Sequence, residues 1–267
     1  MANLIKHKKI LIILTSLFIL VILASQFLRL TFFTDDLTKK MANDISIRLG
    51  MGLIFLFMMY YMGYCLFKKP GKSWIQLLFV LIPGLLISIN NFPISAYLSS
   101  RTTLTEPIHT VFFYAVECLA IGFFEETVFR GVILLVLLQR LPQTKRGSFM
   151  AIIVSSALFG LTHLFNLFVG AAVPDTLIQV GYSFLMGAMW SVIYIATENL
   201  LFPILLHASY NFFGEVLFRL GTVSNRFDFP TILVTSILAV LAIMAYSLVF
   251  CKIKQEDLAN IGASDSR

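Results

Sequence analysis

The chain has 267 residues, of which 58% are hydrophobic and only 13% charged, with a mean hydropathy of +0.88. That balance would leave too much apolar surface exposed for a soluble fold and points to an all-α integral membrane protein. The formal net charge of +6 calls for no nucleic-acid partner, because Lys and Arg gather at the ends of apolar segments, as topology signals do.

A bilayer core of about 30 Å needs about 20 apolar residues of helix. Eight stretches meet that demand: 10–31, 49–67, 74–97, 111–140, 148–169, 176–196, 200–219 and 229–251. The first follows Lys6, Lys8 and Lys9 and has the outline of a secretory signal. No small-x-small cleavage site follows it, and the apolar run continues past Gln26, so an uncleaved first span is expected. The third contains Pro83 and the run "NNFP" over 90–93, and is expected to kink or end early.

The positive-inside rule orients the bundle. Cytoplasmic pieces carry Lys6, Lys8 and Lys9, then Lys68, Lys69 and Lys72, then Arg140, Lys145 and Arg146, and finally Lys252 and Lys254. The first outer loop dilutes Lys39, Lys40 and Arg48 with Asp35, Asp36 and Asp44. Both termini are therefore expected on the cytoplasmic side of a cell membrane. No internal repeat or soluble domain is visible, so residues 1–267 read as one helical membrane domain with a short polar cytoplasmic tail, 252–267. Cys65, Cys118 and Cys251 stand at unrelated spacings within apolar stretches, which reads as helix packing rather than a disulfide or metal framework.

The fourth stretch holds "FFEETVFRG", Phe123 to Gly131. Ionisable groups inside a span cost roughly 2.5 to 3.5 kcal/mol each on insertion scales. Glu125, Glu126 and Arg130 together therefore cost on the order of 9 kcal/mol, against about 8 kcal/mol gained from the apolar residues of the span. A segment so near break-even needs internal partners. Glu126 and Arg130 are i and i+4 and can pair along one face, whereas Glu125 lies about 100° round the helix and is not satisfied by that pair.

Two of the four histidines fall deep in spans: His163 in "FGLTH", one turn from Phe159, and His207 in "HASYN", one turn from Asn211. His7 and His109 read as solvated. Counted from the cytoplasmic ends, Glu125 and His163 both lie roughly 22 Å in, and His207 and Asn211 about 10 to 16 Å, so the groups can meet. Glu117 and Glu215 read as helix-end or packing groups.

Three motifs thus stand in order on three helices: Glu-Glu-x-x-x-Arg at 125–130, Phe-x-x-x-His at 159–163 and His-x-x-x-Asn at 207–211. Together with the run "GAMWSVIYIATENLLFPILLHASYN" over 187–211, they resemble the CPBP family, the CAAX proteases and bacteriocin-processing enzymes, also called the Abi family of intramembrane proteases. The likeness spans about residues 120–214 and implies a catalytic core of about 111–219. It implies that Glu125 is the catalytic carboxylate, that His163 helps it to activate water, that His207 and Asn211 stabilise the oxyanion, and that Glu126 and Arg130 support the site.

Those roles fit the needs of peptide hydrolysis, a base for water and donors aimed at the developing oxyanion. Two versions stand open. One is metal-free, with no cofactor, and is favoured; the other places zinc on Glu125, His163 and His207 with an open position for water. The implied partners are a membrane-associated peptide or protein substrate and the lipid bilayer, with peptide maturation or bacteriocin self-immunity ahead of prenyl-protein trimming. A non-catalytic transporter or toxin-immunity protein, using the charges for packing or proton coupling, is the competing expectation.

Overall fold

The computed structural model describes residues 35–261, together with Ser16. The first expected span, its preceding lysines and the end of the polar tail lie outside the described residues. Within them the chain is an all-α, multi-pass membrane protein with five helices long and apolar enough to cross a membrane. The described residues hold these five and a shorter apolar helix, Trp74–Asn90, and the first of the eight expected spans lies outside them.

Helix α1 runs over Asp36–Tyr61, capped by Asp35, whose carboxylate accepts from the Thr38 N–H at 2.7 Å. It starts well before the expected second span, because this local cap turns the charged run into a first helical turn. Lys39, Lys40, Asp44 and Arg48 are therefore helical, not loop, residues. Helix α2, Trp74–Asn90, opens on a Ser73–Gln76 capping box, carries Pro83 inside, and stops before Pro93. The early end expected for the third stretch is thus present, with a short helix α3, Ile94–Leu98, beyond it.

Helix α4 covers Ile108–Glu126 and continues without a break through a π-helical stretch, Thr127–Leu134, into α5, Leu135–Arg140. With Glu117, Glu125 and Glu126 aboard, α4 is not among the five apolar spans. Helix α6, Lys145–Thr162, runs into a 3₁₀ segment, His163–Val169. Helices α7, Val173–Thr197, and α8, Leu201–Arg219, complete the centre of the bundle. A two-stranded ladder, β1 (Thr102–Leu104) with β2 (Gly221–Val223), ties the start of α4 to the end of α8. Helix α9, Phe229–Lys252, is followed by α10, Gln255–Ile261.

The core gathers around Trp190 of α7, with Phe55 and Met59 of α1, Phe129 and Leu134 of the π stretch, and Ile204 of α8. By contrast α9 turns Ile232, Leu233, Ile237 and Leu241 outward, as a helix at the lipid boundary does. Close approach of α4 and α8 depends on Gly122: a Cβ there would lie 2.9 Å from the Ile204 carbonyl oxygen and 3.2 Å from the Ala208 nitrogen. That contact sets the glutamates of α4 beside His207. Of the three cysteines only Cys118 is buried; Cys65 and Cys251 are exposed, which corrects the packing role expected for them.

Candidate active site

Glu125 and Glu126 are neighbours in sequence and face different surroundings, since one residue is about 100° of helix. Glu126 points into the packed core and is fully buried, as is Arg130. Arg130 Nη1 donates to Glu126 Oε1 at 2.8 Å, the pairing that the i, i+4 spacing predicts. Arg130 Nη2 donates to the Gly187 carbonyl at 3.0 Å, and its guanidinium lies 4.8 Å over the Phe159 ring. His207 Nδ1 stands 2.7 Å from the same Glu126 Oε1.

The π-helical stretch begins just after these glutamates. Helices widened in this way are rare and frequent at functional sites, because the altered register frees backbone groups and re-aims side chains. Here two hydroxyls attend the carbonyls: Thr127 Oγ1 donates to Phe123 O at 2.7 Å, and Ser155 Oγ of α6 to Phe129 O at 3.0 Å.

Glu125 faces a cavity of about 330 Å³ that His163, His207 and Asn211 also line. The four residues assigned by resemblance to catalysis therefore come together, while Glu126 and Arg130 lie behind the wall. Glu125 is not without a partner, as its position round the helix suggested: Arg48 of α1 donates from Nη1 to Glu125 Oε1 at 3.1 Å. The second oxygen, Oε2, faces His207 Nε2 at 3.7 Å.

Phe159 holds the two imidazoles. Its ring meets His163 edge-on at 5.5 Å and His207 at 5.7 Å, and Phe129 packs on it at 4.9 Å. Among the described residues the imidazole of His163, at the junction of α6 and the 3₁₀ segment, makes that ring contact and no hydrogen bond, while its backbone N–H bonds the Gly160 carbonyl. Asn211 likewise leaves its carboxamide unbonded within the described residues and open to the cavity.

The residues left as packing groups are also near. Glu117 is fully buried, with Arg219 Nη2 at 3.5 Å, and Arg219 lines the cavity and covers the Tyr114 ring. Glu215 lines the cavity and faces Arg226 at 3.7 Å. Arg48 and Phe159 are the positions whose parts the sequence reading missed. The i, i+4 relation of Phe159 to His163 was the one signal for the latter; none existed for Arg48.

Among the described residues no three His, Cys, Asp or Glu side chains are grouped so as to hold a metal ion. Glu126 engages His207 Nδ1 and Arg48 engages Glu125 Oε1, which leaves His207 Nε2 and Glu125 Oε2 facing each other at 3.7 Å.

The site is that of a multi-pass membrane protein with buried glutamate–histidine pairs at a cavity. Residues 107–213 match the family model described as Rce1-like, type II CAAX prenyl endopeptidase Rce1-like. The matched stretch takes in all three motifs and is consistent with the resemblance read from them. Comparison with curated proteins and with solved structures finds no match.

Proposed function

We propose that the chain is an intramembrane endopeptidase and that the cavity is its active site. The observation that carries this reading is the convergence of Glu125, His163, His207 and Asn211 on one cavity from three separate helices. Charged groups inside a membrane bundle are costly and commonly mark function. Here they are sorted into a packed cluster and a cavity-facing set, as catalysis requires.

In this reading water sits between Glu125 Oε2 and the imidazoles, with the peptide carbonyl turned to Asn211. Glu125 takes a proton from water as the oxygen bonds to the carbonyl carbon. The Asn211 amide N–H groups donate to the resulting oxyanion. Collapse breaks the carbon–nitrogen bond, and the leaving amine takes the proton from Glu125.

His207 is constrained by Glu126. An ionised Glu126 accepts an N–H from Nδ1, so the cavity-facing Nε2 carries a proton only in the imidazolium form. Oxyanion donation by His207 through Nε2 thus requires a proton on both ring nitrogens. Zinc on Glu125, His163 and His207 would supply a Lewis acid and a more acidic water; the steps above run through this chain's own side chains.

Substrates are membrane-associated peptides or proteins, with peptide maturation or bacteriocin self-immunity placed ahead of prenyl-protein trimming. The test compares membrane peptides from cells holding wild-type protein with those holding Glu125→Gln, and then the purified proteins on a peptide library. Glu125→Gln keeps the shape and removes the base, so turnover is expected to fall by about 10²- to 10⁴-fold. Equal cleavage by a folded Glu125→Gln protein would defeat the reading.

A further inference from the structure

Arg48 lies on α1, outside residues 107–213, and yet its guanidinium is in the candidate site. We propose that Arg48 is a positioning residue for Glu125: it holds Oε1 and leaves Oε2 turned towards His207 as the oxygen that receives the proton from water. This rests on the endopeptidase reading for its purpose, but not for its geometry.

Four observations support it. First, the contact is a charge-assisted hydrogen bond of 3.1 Å, made where the two side chains are only 22% and 17% exposed. Second, the two carboxylate oxygens are divided between partners, Oε1 to Arg48 and Oε2 facing His207 Nε2 at 3.7 Å. An unheld carboxylate rotates freely about its last bond and offers either oxygen; a held one offers one.

Third, the approach of α1 is built in. One turn after Arg48, Gly52 faces Phe123, and a Cβ there would lie 2.5 Å from the Phe123 ring. Any larger residue displaces either the ring or the helix, so Gly52 lets α1 sit close enough for Arg48 to reach the residue two positions after Phe123. Fourth, among the described residues no other Lys or Arg forms an ion pair with Glu125. Arg130 faces Glu126, and Arg219 faces Glu117, itself close to Asp44 of α1. Besides Arg48 and Arg219, the titratable groups on the cavity wall with Glu125 are His163, His207, Glu215, Tyr114, Tyr182 and Tyr210.

The experiment uses the full-length protein and dicyclohexylcarbodiimide, which adds to carboxyl groups in apolar surroundings, with labelling at Glu125 read by mass spectrometry at one fixed pH. A charge-assisted hydrogen bond contributes about 1.5 to 3 kcal/mol, so Arg48→Ala is expected to speed labelling of Glu125 about ten- to a hundredfold. Added guanidinium ion, below denaturing concentration, is expected to return labelling and peptide cleavage towards wild type, and Arg48→Lys to retain much of both.

Gly52→Leu tests the same contact without touching a charge, and is expected to speed labelling as Arg48→Ala does. A folded Arg48→Ala protein that labels at the wild-type rate, or shows no response to guanidinium, overturns the proposal. Faster labelling in a protein that cleaves nothing, wild type included, upholds the Arg48 contact and defeats the endopeptidase reading. Unchanged labelling with normal cleavage does the reverse.

Discussion

Two adjacent glutamates meet two different environments. Glu126 is wholly enclosed and shares one oxygen between Arg130 of its own helix and His207 of α8. Glu125 stands at a cavity, partly exposed, with one oxygen on Arg48 and one facing an imidazole across a gap. The enclosed carboxylate has no room for a substrate atom and can only orient its neighbours; the cavity-facing one has room for water. The same side chain thus serves as scaffold or reagent according to what adjoins it.

The sharpest way to break that division is at Arg130. Removing one partner of an enclosed ion pair leaves an uncompensated charge, which typically costs about 3 to 5 kcal/mol. Arg130→Leu is expected to lower thermal stability in detergent by an amount of that order, with loss of yield and activity together. The double change Glu126→Leu/Arg130→Leu removes both charges and is expected to regain much of the stability. Activity should stay low, because His207 Nδ1 then has no carboxylate behind it. Recovery of activity along with stability would show that Glu126 does not orient His207.

On the cavity side the expected effect is a little smaller and confined to turnover. Loss of one oxyanion donor typically costs about 2.7 to 4 kcal/mol in the transition state. Asn211→Ala should therefore lower kcat by about 10²- to 10³-fold, with KM and the melting curve little changed. A fall in stability matching the fall in kcat would move Asn211 from the reagent side of the comparison to the scaffold side.

How far this division could be read from sequence depends on the range of each contact. The pairing of Glu126 with Arg130 is local and follows from helical spacing. The meeting of Glu125, His163, His207 and Asn211 was reachable through depth and the order of three motifs. Arg48 was not, because a contact between α1 and α4 leaves no trace in the spacing of either, and because the Asp35 cap drew its charged run into a helix that hydropathy alone begins later. The hold of Glu126 on His207 Nδ1 was equally hidden: it depends on which ring nitrogen faces α4, and that is fixed by the α4–α8 approach at Gly122.

A third carboxylate, at the end of the bundle, gives the smallest effect and a check on the logic of the other two. Asp228 caps α9 from outside the spans, accepting from the Thr231 N–H at 3.1 Å and the Thr231 hydroxyl at 2.6 Å. The Ser95 hydroxyl donates to it at 2.6 Å and the Arg101 guanidinium also bonds it. These donors, the Ser95 hydroxyl foremost, hold its carboxyl well below the ordinary aspartate range. A carboxyl depressed in the folded state stabilises that state fully above the unfolded value of about 3.9, and the benefit is lost as pH falls through the lower folded value. Asp228→Asn should therefore lower the melting temperature by a few degrees at neutral pH, with the gap to wild type closing only in strongly acidic solution. Because this carboxylate has donors on every side and no cavity, peptide cleavage by Asp228→Asn should match wild type below its melting transition. A selective loss of cleavage there would show that being well supplied with donors does not by itself mark a carboxylate as scaffold.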